Sequence, residues 1–372
     1  MRIKRIEISG FKSIANLLLE DVTPYSVFAG ANGAGKSNLA DALAFVSAII
    51  EMGATKAIRK FNGFHSIHCY KLRGKKARTF EFKIDLAIDE LSILYELKVH
   101  YMNDLIPFLE EHLHIGQDRR VVLERKKDNA PIIHNDLGGK SQLPIPDDLS
   151  ALVFLRYIPI YDFLTNIKIF RFDPLGAKEP DSSSTDASGL HSHGHNVATM
   201  LATLEKNDDF RTQIIDWMTL IVPSMEKITT KQQRLDNKTF IKFKEEGTKA
   251  QFPASLVSDG TIYALCIMTA VLSRSKSKGL TIIEEPERGI HPQAIGELVQ
   301  LMRENASIEH PVFVTSHSES VVRASKPQEL WLVNKEDGKT DAKNAAKNCG
   351  DLGDLNLDKA WLMNFFNGGL PW

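Results

Sequence analysis

The stretch GANGAGKSN, residues 30–38, fits the spacing G-x-x-x-x-G-K-[ST], with Gly30, Gly35, Lys36 and Ser37 at the fixed positions. Each residue type has a task in that pattern. Glycines let consecutive backbone N–H groups turn inward around phosphate oxygens, and the helix that follows adds the positive end of its dipole. Asn32, Gly33 and Asn38 belong to the same cradle. Lys36 supplies charge to the β- and γ-phosphates, and the Ser37 hydroxyl is a Mg²⁺ ligand. The loop follows an apolar strand, YSVFAG, and opens a helix with Leu39, Ala42, Leu43, Val46 and Ile50 at helical spacing. A flexible glycine turn lacks that context, so the stretch implies a nucleoside-triphosphate site.

A second chemical signal is LTIIEEPERGIHP, residues 280–292. Two adjacent carboxylates end a short apolar strand. Glu284 is placed to hold Mg²⁺, directly or through water, and Glu285 to orient and polarise an attacking water. A solvated acidic turn is the alternative, but it does not explain why the acids follow four apolar residues. Two weaker signals gain weight from their distance to this one. His317 stands just past another apolar strand, PVFVT, and 32 residues after Glu285, where it can sense a γ-phosphate. Ser258-Asp259-Gly260 starts a helix 26 residues before Glu284; Ser258 and the free N–H groups there form a second anion site, or simply an N-cap.

These residues need elements to hold them. RIKRIEISGF reads as an edge or half-buried strand with Ile3, Ile6 and Ile8. ARTFEFKIDLAI and LSILYELKVHYM alternate as antiparallel strands, and LIPFLEEHLHI and RRVVLERKK continue that sheet. Residues 173–194 are rich in Pro, Ser, Asp and Gly and read as a mobile surface loop. NVATMLATLEK and DDFRTQIIDWMTLIV are helices, the second capped by Asp208 or Asp209, and KTFIKFKEE is a strand. Ile262, Leu265, Met268 and Leu272 make the buried stripe of the helix after Ser258. The helix–strand alternation from there to PVFVTSH predicts a mainly parallel sheet. The fold expected is therefore α/β: a parallel P-loop core from residues 1–60 and 254–335, an inserted β-strand and helical lobe over 61–253, and a tail over 336–372.

Composition narrows the classes. The chain has 372 residues, net charge −1, and 25% charged residues, which gives no global steering toward nucleic acid or acidic membranes. Cys69, Cys266 and Cys349 match no disulfide or metal spacing, no signal peptide is visible, and no apolar run approaches a membrane span. A cytoplasmic location without membrane contact is expected.

Taken together, the opening IKRIEISGFKSI, the loop GANGAGKSN, SDGT, EEPERGIHP, TSHS and the closing WLMNFFNGGLPW resemble the ABC-type ATPase superfamily, within it the RecF, SMC and OLD-like branch of single-head ATPases. The resemblance implies an ABC-ATPase head that binds ATP and Mg²⁺. It also implies a homodimer that sandwiches ATP, with Ser258 and Gly260 of one copy facing the phosphate loop of the other. Glu285 would then be the base and His317 the γ-phosphate sensor. Three departures stand out: SDG where transporters usually carry SGG, Arg288 where the family usually has Asn, and no Q-loop glutamine, Gln117 being a poor candidate. Only 54 residues follow TSHS, too few for the TOPRIM domain of OLD proteins.

The resemblance favours a nucleotide-driven dimerisation switch in DNA repair or defence against phage and plasmids, acting on a separate nuclease-like or toxin-like effector. A transporter's nucleotide-binding subunit is the alternative, disfavoured because Lys36 and Ser258 lie 222 residues apart. A small-molecule kinase would need no partner signature. His191, His193 and His195 read as a solvated loop rather than a metal site. Two basic clusters, Lys71, Arg73, Lys75, Lys76 and Arg78, and Arg119, Arg120, Arg125, Lys126 and Lys127, leave DNA contact open.

Overall fold

Strand β3 (Tyr25–Ala29) has all five residues buried, and alternate side chains enter two different cores. Phe28 joins one apolar cluster, whereas Tyr25, Val27 and Ala29 join the other. Such continuous burial marks a strand covered on both faces, the usual condition of a parallel sheet. In the computed structural model, which describes residues 1–88, 91–101, 106–127, 129–135, 138–181, 189–233, 237–348 and 355–366, β3 lies inside a six-stranded sheet. The spatial order is β10 (Ile167–Phe170), β14 (Leu280–Glu284), β15 (Val312–Ser316), β3, β16 (Leu330–Glu336) and β17 (Lys339–Asn344). All neighbours are parallel except β17, which returns antiparallel from β16. The parallel sheet predicted from alternation is present, and the β16–β17 hairpin extends it past residue 335.

An eight-stranded antiparallel sheet forms the second layer, in the order β2 (Ile14–Glu20), β1 (Arg2–Phe11), β4 (Thr79–Ile88), β5 (Leu91–His100), β6 (Phe108–Ile115), β7 (Arg120–Arg125), β8 (Ile132–His134) and β9 (Lys140–Gln142). β4 and β5 were legible as alternating segments, and β6 and β7 as continuations of their sheet. β1, however, is no edge strand: it is paired on both sides, by β2 and β4. Its ladder with β4 shifts register between Ile3 and Arg5, so Ile3 and Ile6 are both buried although they lie three apart. The extra residue hides the period-two pattern from the sequence. A small sheet of β11 (Met225–Gln232), β12 (Thr239–Glu245) and β13 (Phe252–Pro253) completes the strands.

The phosphate-loop helix, Lys36–Met52, packs between the two large sheets, with Phe45 against Phe11, Phe61 and Phe80. On the other face of the parallel sheet lies helix Asp259–Arg274, in which every residue from Gly260 to Leu272 is buried. The single stripe expected from Ile262, Leu265, Met268 and Leu272 is thus too narrow: other helices and the sheet enclose this helix. Helix Asp208–Ile221 is capped one residue earlier than expected. Asn207 Oδ1 accepts from the N–H groups of Asp209 and Phe210, and both aspartates sit inside the first turn. Within the expected loop over 173–194, Pro174–Lys178 is a helical turn capped by Asp173. Residues 182–188 lie outside the described residues, as do Cys349 and the last six residues of the closing WLMNFFNGGLPW.

Candidate nucleotide site

The parallel order of β3, β15 and β14 brings three C-terminal strand ends side by side, and each ends in residues that sequence reasoning assigned chemistry. Beyond β3, Gly33 and Gly35 take φ values of 81° and 107°, which an L side chain rarely adopts, and the helix starts at Lys36. Gly35 is required twice over, because a Cβ there would lie 2.0 Å from Thr340 Oγ1. Thr340, on β17, donates to the Ala34 carbonyl at 2.9 Å and lies 2.6 Å from Ser13 Oγ. Ser13 in turn accepts from the Asn38 side chain at 2.6 Å. Asn38 therefore braces the loop with its side-chain amide.

Lys36 is buried, and its ammonium donates to the carbonyls of Gly30 and Ala31 at 2.7 and 2.8 Å. One of its three N–H donors remains for a ligand. Burial pulls its pKa below the ordinary lysine value, opposed by the nearby charges of Glu285, Glu287 and Glu284.

The two adjacent glutamates diverge. Glu284, at the end of β14, has its Oε2 3.4 Å from Ser37 Oγ. Two oxygen ligands side by side in the octahedral shell of Mg²⁺ stand roughly 3 Å apart, so this pair fits a shared ion. Glu285 leaves the strand with φ 50°, held by its N–H on the Thr315 carbonyl at 2.8 Å. The Tyr263 hydroxyl lies 3.1 and 3.0 Å from the carbonyl oxygens of Glu284 and Glu285. The left-handed backbone turns Glu285 toward His317, whose Nδ1 is 3.5 Å from Oε1. Left-handed conformation in a non-glycine residue costs roughly 1–3 kcal/mol and persists only where surroundings enforce it, as Thr315 and Tyr263 do here.

Four contributors escaped sequence reasoning. Glu287, almost buried, receives the Ser316 hydroxyl at 2.7 Å and the His317 N–H at 3.2 Å on one oxygen, and so sets the loop that presents His317. Its other oxygen is buried without a hydrogen-bond partner. Arg171, just past β10, grips Glu284 with Nε on Oε2 and Nη2 on Oε1, both at 2.9 Å. Its Nη2 also reaches Asp41 on the phosphate-loop helix at 2.6 Å, and Asp41 pairs with Lys12. The hydrogen bonds to Glu284, and then those to Asp41, push the Arg171 pKa up, so it stays charged. Glu287 was visible as the third acid of EEPE; Arg171 depends on β10 lying beside β14.

Ser258 and Gly260 form a separate cluster in this chain. Ser258 caps helix Asp259–Arg274, its Oγ accepting from the Thr261 N–H at 3.1 Å, and it is exposed. Gly260 is fixed by packing: a Cβ would meet the Gly289 carbonyl at 2.0 Å. Arg288, exposed in the adjoining turn, donates its N–H to the Glu285 carbonyl at 3.1 Å.

The family described as "AAA domain, putative AbiEii toxin, Type IV TA system" matches residues 26–323, from β3 to beyond His317. The chain belongs to this AAA_21 family. Among solved structures, the AAA_21 chain is similar to an SMC head bound to the C-winged helix domain of ScpA: 15% identity over 93% of this chain and 99% of that chain, with TM-score 0.60. An SMC head with an extended coiled coil, bound to the C-terminal domain of ScpA derived from Pyrococcus furiosus, gives 13% identity over 98% of each chain, with TM-score 0.56. At such identities the likeness is one of fold. No curated protein matches the chain. The AAA_21 match and the SMC-head fold agree with the resemblance to ABC-type heads that the motifs carry.

The remaining features of the AAA_21 chain separate from the site or dissolve. His193 Nδ1 donates to the Arg171 carbonyl at 2.9 Å and His195 Nε2 lies 3.3 Å from Asp173, so the histidine loop braces the segment after β10. No group of three metal-ligating side chains occurs among the described residues. Of the second basic cluster only Arg125 leaves the surface; Arg119, Arg120, Lys126 and Lys127 are exposed. Arg125 is 1% exposed and bonded to the carbonyls of Leu149 and Pro146, beside the buried Glu111. Arg119 pairs with Asp85 and Lys126 with Glu124. The first cluster stays exposed, with Lys75, Lys76 and Arg78 on the short helix Gly74–Arg78 and Lys71 and Arg73 just before it. Among the described residues, no helix is long and apolar enough to cross a membrane.

Proposed function

We propose that this chain hydrolyses ATP between two copies of itself and works as a nucleotide-driven dimerisation switch. The observation that carries the proposal is the division of the two adjacent glutamates, Glu284 toward Ser37 and Glu285 toward His317. In this reading the turned-in N–H groups of residues 33–37 and the Lys36 ammonium hold the β- and γ-phosphates. Mg²⁺ bound by Ser37 and Glu284 would neutralise developing phosphate charge. Glu285 takes a proton from the attacking water as the new oxygen–phosphorus bond forms, and the bond to the β-phosphate oxygen breaks, giving ADP and phosphate. His317, steadied by Glu287, donates a hydrogen bond to the γ-phosphate.

The site of one copy lacks the Ser258 cluster, which lies elsewhere on the same chain. The partner copy supplies it. Leu256, 73% exposed two residues before Ser258, and Leu175, 65% exposed on the helical turn that pairs Lys178 with Asp259, give that face apolar area to bury against a second copy. Opening and closing of the pair acts on a separate effector in repair or in defence against phage and plasmids, and the exposed Gly74–Arg78 helix leaves DNA as a further partner. The proposed compartment is the cytoplasm.

The catalytic part is tested by phosphate release at saturating Mg-ATP. Glu285→Gln is expected to slow it at least about 100-fold while a fluorescent ATP analogue still binds. Lys36→Ala is expected to lose the analogue. Undiminished phosphate release from Glu285→Gln would refute the assignment of the base.

A further inference from the structure

Glu284 has two oxygens, and Arg171 holds both of them. A divalent ion shared with Ser37 needs the oxygen that Arg171 Nε occupies, Oε2, since that oxygen is the one 3.4 Å from Ser37 Oγ. Oε2 has a lone pair for each, but the guanidinium and the ion bring like charge onto one carboxylate, so each weakens the other's hold on it. Both are cationic, both prefer it ionised, and a fork of two charge-assisted hydrogen bonds is among the stronger arrangements an arginine makes.

Three further observations bear on what happens when the fork lets go. Arg171 stands at the end of β10, which lies at the edge of its sheet and is paired there with β14. Its Nη2 already contacts Asp41 at 2.6 Å, so a second carboxylate is within reach when Glu284 is surrendered. The backbone that follows leads to the other face of the site. Arg171 N–H bonds to the Ser192 carbonyl and Asp173 N–H to the His193 carbonyl, at 2.8 and 3.0 Å. Asp173 caps the helical turn Pro174–Lys178, and Lys178 is paired with Asp259, the residue after Ser258. Between them, the Phe172 ring meets Tyr263 edge-on at 5.9 Å, and Tyr263 is the side chain bonded to the backbone of Glu284 and Glu285.

We propose that Arg171 is a positioning residue acting as a latch: it competes with the divalent cation for Glu284, and its release is transmitted through residues 172–178 to the Ser258 segment. This rests on the reading of Glu284 as the metal carboxylate.

The test is the ratio of the affinity for a fluorescent non-hydrolysable ATP analogue in Mg²⁺ to that in EDTA, for the wild type, Arg171→Lys, Arg171→Ala and Glu284→Gln. Lysine keeps the charge but cannot span both oxygens, so the latch predicts that Arg171→Lys and Arg171→Ala both raise the ratio, by about tenfold. An unchanged ratio in Arg171→Lys, with a rise confined to Arg171→Ala, would reduce the effect to loss of charge and overturn the latch. A lower ratio in either would make Arg171 a support for metal binding, which also overturns it. If Arg171→Ala does not fold, the lysine variant decides alone. Glu284→Gln serves the underlying reading: its ratio should fall toward one, and a wild-type ratio there sinks the metal assignment whatever Arg171 does. Hydrogen exchange supplies the second readout. Amides of residues 259–262 should change protection on adding Mg-analogue to the wild type, and should show that changed protection in Arg171→Lys before any is added. Identical exchange in the two proteins without analogue would contradict the transmission.

Discussion

Adjacent carboxylates at the end of a strand repel one another unless the backbone sends them apart, and here the left-handed turn at Glu285 does so. The consequence is that the second acid acts from a loop whose shape is set by Glu287. Glu287 is the less obvious of the two residues and the more deeply held, with the Ser316 hydroxyl and His317 N–H both on its Oε1. Replacing it with alanine leaves a hydroxyl and an amide without their acceptor, each costing about 1–3 kcal/mol where buried. Glu287→Ala is therefore expected to lower the unfolding temperature and to slow ATP turnover by about tenfold or more. Glu287→Gln retains the accepting oxygen and should recover most of the turnover. Turnover in the alanine variant equal to wild type would show that His317 needs no such support. The sequence separated the tasks of Glu284 and Glu285, but it hid that the third acid of EEPE holds Ser316 and His317, a contact that depends on β15 lying beside β14.

At the scale of elements, the phosphate loop and the strands β3, β14 and β15 were legible because their signals are local: apolar runs, turn residues and a helix start. Arg171 and Thr340 were not, because each acts across a sheet register or a hairpin that brings distant residues together. The helix after Ser258 shows a third case. Its apolar residues gave the helix but not its burial on all sides, and its Gly260 has a packing role that no periodicity reveals. The Gly289 carbonyl occupies the space of a Cβ, so Gly260→Ala should cost about 1–3 kcal/mol of stability through overpacking, read as a lower denaturation midpoint. Loss of activity in that variant would then report packing as much as any contact with a second copy. Ser258 is the cleaner probe, since its side chain is exposed and its cap is worth about 1 kcal/mol. An unchanged midpoint for Gly260→Ala would mean that the turn at residues 288–290 yields easily.

For the whole molecule, the parallel sheet has the phosphate-loop helix on one face and helix Asp259–Arg274 on the other. Lys36, Ser37, Glu284, Glu285 and His317 gather at the C-terminal ends of the interior strands β3, β14 and β15, and Ser258 caps helix Asp259–Arg274. The mixed architecture followed from alternating segments in the sequence. Exposed Leu256 and Leu175 mark where the partner copy would dock. The most direct measurement is the mass of Glu285→Gln in solution, by light scattering during gel filtration, with and without saturating Mg-ATP. The expected result is a dimer that forms with Mg-ATP and does not form when Ser258→Arg is added to the same chain. Glu285→Gln remaining monomeric with bound Mg-ATP would contradict the account.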